Sequence, residues 1–186
     1  MTQIHKLYSN VIEPKHATKH SACFDIHAHL RGPCPSEDKF PDMRIIRIID
    51  RANNLTETEP SIVWYSDIPS VSITIPAFGR ALIPTGIIFD LEEHFSVRIH
   101  PRSGLAWKYG VTLINCEGVI DSDYCKEVFI PLFNASEIPF TIKHGDRVAQ
   151  FEVLQHYKSV DYLMATEASA VEQKTNRVGG FGSTGV

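Results

Sequence analysis

The sequence predicts an all-β fold of the sandwich, jelly-roll or barrel type. Many short segments are rich in β-branched residues, and some of them alternate apolar with polar residues. Proline and glycine recur between these segments as turn signals, which is typical of those three architectures. The predicted strands are Ile45–Ile49, Val71–Ile75, Ala81–Ile83, Gly86–Phe89, Phe95–Ile99 and Val128–Leu132.

Helical candidates are few. Ser103–Tyr109 is predicted to form one short turn or helix, with the serine at its start. Residues 159–172 contain alanine and glutamate, but they precede a glycine-rich end and are predicted to be linker. We therefore expect one folded domain over residues 1–158 and a linker with a glycine-rich arm over residues 159–186.

The composition is that of an ordinary globular chain. Its 186 residues suffice to bury a core, and 43% hydrophobic with 22% charged residues is typical of soluble proteins. The net charge of -4, without a basic cluster, argues against a nucleic-acid partner. There is no apolar run of about eighteen residues and no secretion signal. We expect no membrane contact and a cytoplasmic location, in a cell or in a virus-infected host.

The glycine-rich stretch Gly179–Gly185 is the most informative feature of the chain. Its four glycines permit positive φ values, so successive backbone N–H groups can turn toward an anion. Ser183 and Thr184 add hydroxyl donors, and Arg177 just upstream adds a cation. Phe181 is a lone large ring that suits stacking on a flat ligand. The stretch therefore suits a phosphate-bearing aromatic molecule, and the alternative is a disordered tail.

Three internal blocks accompany this stretch. They are Pro101–Val111 (PRSGLAWKYGV), Asn115–Tyr124 (NCEGVIDSDY) and Gly145–Gln150 (GDRVAQ). In order and approximate spacing, the four together closely resemble the trimeric dUTP pyrophosphatase (dUTPase) family. The resemblance implies a dUTPase-like β-jelly roll (β-clip) that forms a homotrimer with a flexible C-terminal arm. It also implies Mg²⁺-dependent hydrolysis of dUTP to dUMP and pyrophosphate, at active sites shared between subunits.

The middle block carries the predicted catalytic chemistry. Hydrolysis between the α- and β-phosphates needs an in-line water, and a carboxylate can orient this water and accept its proton. The resemblance places that carboxylate at Asp121. Tyr124 would lie under the deoxyribose and exclude a 2′-hydroxyl. The hairpin with Asn115 and Gly118 would receive uracil through its backbone groups.

The resemblance assigns the phosphate chain to the other blocks and to the arm. Arginine offers a planar fork to phosphate oxygens, and the serine hydroxyl adds a donor. Relatives usually carry the arm arginine at the position of Asn176, so Arg177 is shifted by one residue. The predicted substrate-binding residues are Arg102, Ser103, Gly104, Asn115, Gly118, Tyr124, Gln150, Arg177, Phe181, Gly182, Ser183 and Thr184.

Mg²⁺ is implied because a triphosphate carries several negative charges that the metal neutralises. Phosphate oxygens and waters would hold most of its coordination sphere, so no dense carboxylate cage is expected. The family's first motif contains an aspartate that holds a metal-bound water, and the matching residue is Asp25. Phe24, His27 and His29 are unusual for that motif.

A segment of about residues 32–70 has no counterpart in typical members of the family. It contains several prolines but also the apolar run Ile45–Ile49 and the pair Trp64–Tyr65, so part of it is expected to pack. Connections of this length are usually functional or mobile. The segment, called the insertion below, is either a partner-binding surface or a decorated loop.

Three alternative functions remain in view. His27 and His29 resemble the HxH opening of metal-dependent amidohydrolases and could share a zinc ion, but that class needs a longer barrel of alternating strands and helices. dCTP deaminase shares the implied fold, although the hairpin block is closer to the dUTPase version. A non-catalytic or moonlighting regulatory protein could bind a partner through the insertion.

Overall fold

The computed structural model describes residues 2–32, 43–65 and 68–156, which form fourteen β-strands and one short α-helix. In chain order they are β1 (Gln3–Lys6), β2 (Phe24–His27), β3 (Ile46–Ile49), β4 (Leu55–Thr58), β5 (Ser61–Tyr65), β6 (Ile68–Ile75), β7 (Arg80–Pro84), β8 (Ile87–Asp90), β9 (Phe95–His100), α1 (Ser103–Tyr109), β10 (Val111–Leu113), β11 (Gly118–Ile120), β12 (Phe129–Asn134), β13 (Phe140–Lys143) and β14 (Arg147–Gln155). No helix in these ranges is long and apolar enough to span a membrane.

The strands pair in four antiparallel sheets. Their orders are β1-β8, β10-β12-β7-β3-β4, β11-β9-β14-β2 and β13-β6-β5. Neighbours in a sheet are often distant in the chain, as β14 is from both β2 and β9, which is characteristic of a jelly roll rather than a simple meander. The predicted all-β class is confirmed, and so is the helix at Ser103–Tyr109.

The core lies between the sheets and follows the strand period of two. Along β12, for example, Ile130, Leu132 and Asn134 are buried, and the residues between them are more exposed. The buried Asn134 is satisfied because its amide nitrogen donates to the carbonyl oxygens of Ile75, Pro76 and Ile138. Phe89 and Phe151 are the largest fully buried side chains, and their rings meet edge to face at 4.9 Å.

The described part of the insertion adds strands to two sheets. Strands β3 and β4 form a hairpin that extends the five-stranded sheet beyond β7, and β5 pairs with β6. Ile46 and Ile48 of β3 are buried in the core. The expectation that part of the insertion packs is confirmed. Residues 33–42 and 66–67 of it lie outside the described residues, as does the segment 157–186.

Candidate active site

The segment predicted to be a hairpin that receives the base consists of β10, a tight turn and β11. Strand β10 pairs with β12 and β11 pairs with β9, so the two strands belong to different sheets and do not form a hairpin. In the turn, Cys116 adopts a φ of 62° and the Glu117 amide donates to the Asn115 carbonyl oxygen at 2.6 Å. Gly118 pairs with Ile99 of β9, and a Cβ atom at Gly118 would lie 3.1 Å from the Ile99 Cβ. Glycine thus permits the close approach of two strands, while Asn115 at the turn is exposed.

A second turn, directly after β11, carries the predicted catalytic residue. Asp121 is exposed, and its carbonyl oxygen accepts a hydrogen bond from the Tyr124 amide at 3.1 Å. The Tyr124 hydroxyl donates to the main-chain oxygen of Glu127 at 2.9 Å, and 39% of the residue is exposed. Asp121 is therefore exposed in a turn in which both the amide and the hydroxyl of Tyr124 are hydrogen-bonded.

Asp25 lies at the centre of a cluster of charged groups. One of its carboxylate oxygens accepts from Arg102 Nε at 3.2 Å and the other accepts from Arg147 Nη1 at 3.1 Å. Arg102 also donates to the Arg147 carbonyl oxygen at 3.3 Å. Asp25 is 8% exposed, so the pairing compensates its burial and fixes both guanidinium groups.

Strand pairing brings three sequence blocks to this cluster. Gln150 of β14 pairs with Asp25 of β2 on one side and with His100 of β9 on the other. The Gln150 side-chain amide donates to the Pro101 carbonyl oxygen at 3.1 Å, next to Arg102. The structure therefore brings together Asp25, Arg102 and Gln150, which lie far apart in the sequence. It also adds Arg147, whose guanidinium donates to the second oxygen of Asp25.

Ser103 and Gly104 open α1 beside this cluster, and both are exposed. No atom outside its immediate neighbours lies within 4 Å of a Cβ placed on Gly104, so packing within this chain does not require the glycine. The helix buries none of its residues, and Trp107 is 90% exposed. This end of the sheet presents a polar helix start and an apolar helix surface together.

Two clefts flank the Asp25 cluster. The larger, of about 450 Å³, is lined by the cations Arg102, Lys143 and Arg147, by Asp146 and by the rings of Tyr109 and Phe140. The smaller, of about 290 Å³, contains Asp25 itself with Lys15, His16 and His27. Although the whole chain is acidic, the larger cleft is locally basic, which suits phosphate oxygens.

Strand β11 and the charged cluster belong to one sheet. The order β11-β9-β14-β2 places Gly118 beside the strand that leads into Arg102, and Gln150 and Asp25 on the next two strands. The predicted arm residues Arg177, Phe181, Gly182, Ser183 and Thr184 lie outside the described residues. Strand β11 runs antiparallel to β9, and its last residue, Ile120, pairs with Val97, whereas Asp25 and Gln150 lie level with His100. Within one chain, Asp121 and the Arg102 cluster are therefore at opposite ends of this sheet.

His27 and His29 do not support the zinc alternative. Strand β2 ends at His27, and no group of three or more His, Cys, Asp or Glu residues in the described ranges is placed to hold a metal ion. His29 is instead a core residue, 2% exposed, stacked on Tyr8 at 5.5 Å and edge-on to His144 at 5.0 Å. The sheets also exclude the barrel that an amidohydrolase needs.

Burial makes His29 an acid-labile element of the core. Burial, together with nearby His144, Arg44 and Arg31, lowers the pKa of His29 to about 4, while in an unfolded chain the pKa is near 6.5. The unfolded state therefore binds more protons below pH 6.5. Stability is fully present above that pH and decreases as the pH falls toward 4.

We expect the free energy of unfolding to fall by about 2 kcal/mol between pH 7 and pH 5 from His29 alone. Chemical denaturation at both pH values measures this difference. His29→Phe should reduce the difference, whatever its effect on absolute stability, and His20→Gln at an exposed position should not change it. An equal pH dependence in His29→Phe would contradict the assignment.

Two residues of the site carried no recognisable sequence signal. Glu127 is a nearly buried acid three residues beyond the NCEGVIDSDY block, and Arg44 binds it from the insertion through two guanidinium nitrogens. Nothing in the sequence around Glu127 indicates that its partner lies 83 residues away.

Comparisons with known proteins agree with this architecture. The sequence model of the dUTPase family matches residues 68–185. The deoxyuridine 5'-triphosphate nucleotidohydrolase of Finegoldia magna is 39% identical over 150 residues, which cover 75% of this chain and 98% of the relative. The enzyme of the same description from Rhizobium etli is 43% identical over 114 residues, or 61% of this chain and 70% of the relative.

Solved structures show the same fold at lower identity. The dUTPase of Streptococcus mutans superimposes with a TM-score of 0.56 at 18% identity, covering 83% of this chain and 95% of that one. A variant of the Staphylococcus bacteriophage 80alpha dUTPase with dUpNHpp gives 0.66 at 16% identity, covering 100% and 99%. Fold and site thus define the class, a jelly-roll nucleotide hydrolase. The chain belongs to the dUTPase family. The family, the fold and the enzyme class predicted from the sequence are therefore confirmed.

Proposed function

We propose that this protein hydrolyses dUTP to dUMP and pyrophosphate, with Asp121 activating the attacking water. The observation that carries the proposal is the Arg102 cluster, in which Asp25 holds two arginines beside a basic cleft. The exposed Asp121 carboxylate and the tight turn before it support the proposal. The names of the relatives supply the substrate, and a dUpNHpp complex of a protein with the same fold supports it.

Uracil would enter the turn between β10 and β11, at Asn115 and Gly118. Backbone N–H and C=O groups there present a complementary edge to uracil, and the amino group of cytosine would meet a donor where it needs an acceptor. The tight turn leaves little space for the methyl group of thymine. Tyr124 would lie beneath the deoxyribose and reject a 2′-hydroxyl sterically.

The phosphate chain would lie along Arg102, Ser103, Gly104 and Gln150. Arg102 is held by Asp25, so its remaining N–H groups are oriented before the substrate arrives. From the arm, Arg177 would reach the γ-phosphate and Phe181 would cover the base. Gly182, Ser183 and Thr184 would add backbone and hydroxyl donors.

In the chemical step, a water held by Asp121 attacks the α-phosphorus. Its proton passes to the Asp121 carboxylate, the bond from the α-phosphorus to the bridging oxygen breaks, and pyrophosphate leaves with the electron pair. Bound Mg²⁺ would neutralise the phosphate charge. Asp25 would hold a water molecule bound to that ion rather than the ion itself. Carboxylate oxygens suit magnesium, but both oxygens of Asp25 already accept hydrogen bonds from arginines.

A homotrimer with shared sites is part of the proposal. Trp107 at 90%, Ile138 at 74% and Tyr109 at 52% exposure leave apolar surface near α1 that a neighbouring subunit would cover. Such an assembly would let the β10–β11 turn of one subunit face the Arg102 cluster of another, with the arm of a third closing over both. A cytoplasmic location stays a prediction.

The alternatives receive less support. The names of the relatives favour dUTP hydrolysis over dCTP deamination. The insertion contributes strands to two sheets, so a structural contribution accounts for its described part without a regulatory partner.

The deciding experiment is pyrophosphate release from dUTP, dCTP, dTTP and UTP, each with Mg²⁺ and with EDTA. We expect rapid release from dUTP alone, and only with Mg²⁺. Release from several nucleotides would refute the selection of uracil by the β10–β11 turn and of deoxyribose by Tyr124. Ammonia release from dCTP would instead indicate deamination, and no reaction at all would favour the regulatory alternative.

A further inference from the structure

Glu127 connects three parts of the chain through one nearly buried carboxylate. Its two oxygens accept from both terminal nitrogens of Arg44, and Oε1 also accepts from the Gly86 amide at 2.7 Å. The side chains of Arg44 and Glu127 are 14% and 10% exposed. A buried, bidentate pair with a further backbone donor holds its carboxylate in one place.

The Gly86 contact has little freedom. Gly86 has a φ of 70°, and a Cβ atom there would lie 2.4 Å from the Val11 side chain. Its carbonyl oxygen accepts from the Leu7 amide at 2.8 Å, so the backbone that donates to Glu127 is itself fixed. Glu127 is therefore clamped between a rigid turn and Arg44.

The main chain of Glu127 in turn determines where the Tyr124 ring lies. Its carbonyl oxygen is the acceptor of the Tyr124 hydroxyl, and the next residue, Val128, is buried and donates its amide to Ile87 at 2.9 Å. The ring, although partly exposed, is thus tied at its hydroxyl end to the clamped residue. Any movement of Glu127 would be transmitted to the ring.

Arg44 belongs to the insertion and precedes residues 68–185, which the family model matches. Its amide donates to the Leu30 carbonyl oxygen at 3.2 Å, and its guanidinium lies 5.6 Å from the Tyr8 ring centre and 5.9 Å from that of Phe129. The insertion thus contributes a cation that is held on several sides.

We propose that Arg44 is a positioning residue that fixes the Tyr124 ring through Glu127 and so sharpens the rejection of ribonucleotides. This inference rests on the proposed role of Tyr124 beneath the sugar. It gives the insertion a function inside its own subunit. Arg44 touches no substrate, and its effect is expected on sugar discrimination more than on the chemical step.

The test compares Arg44→Met with Arg47→Met. Arg47 is a matched control because it also belongs to the insertion and also pairs with a glutamate, Glu57 at 2.9 Å, but on an exposed face. The readout is the ratio of kcat/KM for dUTP to that for UTP. We expect Arg44→Met to lower this ratio roughly 10-fold, and Arg47→Met to leave it unchanged.

A second pair of variants separates positioning from general destabilisation. Arg44→Met leaves the Glu127 carboxylate buried without its partner. If this single variant folds poorly, Arg44→Met combined with Glu127→Gln takes its place, because it removes both charges. Tyr124→Phe removes the hydroxyl that contacts Glu127, and adding Arg44→Met to it should lower the ratio little further. Thermal unfolding of each variant records stability separately.

An unchanged discrimination ratio in folded Arg44→Met, or in the double variant, would overturn the proposal. Full additivity of Arg44→Met and Tyr124→Phe would overturn it as well. If the unmodified protein does not hydrolyse dUTP, the proposed function fails. The ratio of the dissociation constants of UMP and dUMP, measured by calorimetry, then tests the positioning role without turnover.

Discussion

Asp121→Asn is expected to lower kcat for dUTP by about 10²–10⁴-fold, the usual contribution of a general base, while nucleotide binding is retained. The amide keeps the size of the carboxylate but cannot accept a proton from water. Asp121 is exposed and follows β11 in a turn, where its carbonyl oxygen already satisfies the Tyr124 amide. The substitution therefore removes the base without disturbing the turn.

Steady-state pyrophosphate release gives kcat, and calorimetry with dUpNHpp gives affinity. Asp123→Asn is the matched control, because Asp123 lies in the same turn, is equally exposed and has no assigned chemical role. We expect Asp123→Asn to retain most of the activity. A fast Asp121→Asn enzyme, or equal losses in both variants, would show that the water is activated by another group.

Removal of residues from Gly179 onward is expected to lower turnover by at least about 10²-fold and to leave a folded assembly. Strand β14 is the last described strand, so truncation after Val178 removes no residue of the sheets formed by residues 2–156. Ser103 and Gly104, which are proposed to bind the phosphates, are exposed. Another segment must therefore cover the bound phosphates. Phe181, Ser183 and Thr184 would supply that cover.

Light scattering and circular dichroism of the truncated protein test the second half of this expectation. Phe181→Ala in the full chain is the companion variant, and it should raise KM through the loss of stacking while the assembly stays intact. If truncation dissociates the subunits, the arm would be an assembly element, and the division of roles between core and arm would be wrong.

Much of the architecture was predictable because strand signals are local. Val71–Ile75 alternates apolar and polar residues, as a strand with one buried face does, and it lies within β6. Val128–Leu132 is an apolar run, as in a strand buried on both faces, and it overlaps β12. The helix at Ser103–Tyr109 was also predictable from local sequence. It ends at Gly110, whose φ of 67° is typical of a glycine that terminates a helix.

Other strands escaped prediction because their local signals are weak. Strand β1 is exposed at every position and exists through its pairing with β8. Leu55–Thr58 is mostly exposed and is a strand because β3 lies beside it. Such segments are specified by a partner strand, which a local pattern does not contain.

The sequence by itself determined the strand-rich class, because strand signals are local. Through four short blocks that resemble the family, it also indicated the family and the candidate roles of Asp121, Tyr124 and Arg102. Tertiary structure alone decided that Asp25 orients Arg102 and Arg147, that His29 is core, and that Arg44 clamps Glu127. These contacts join residues 77, 122 and 83 positions apart. Their partners are selected by sheet pairing and burial, which act through space and leave no periodic trace along the chain.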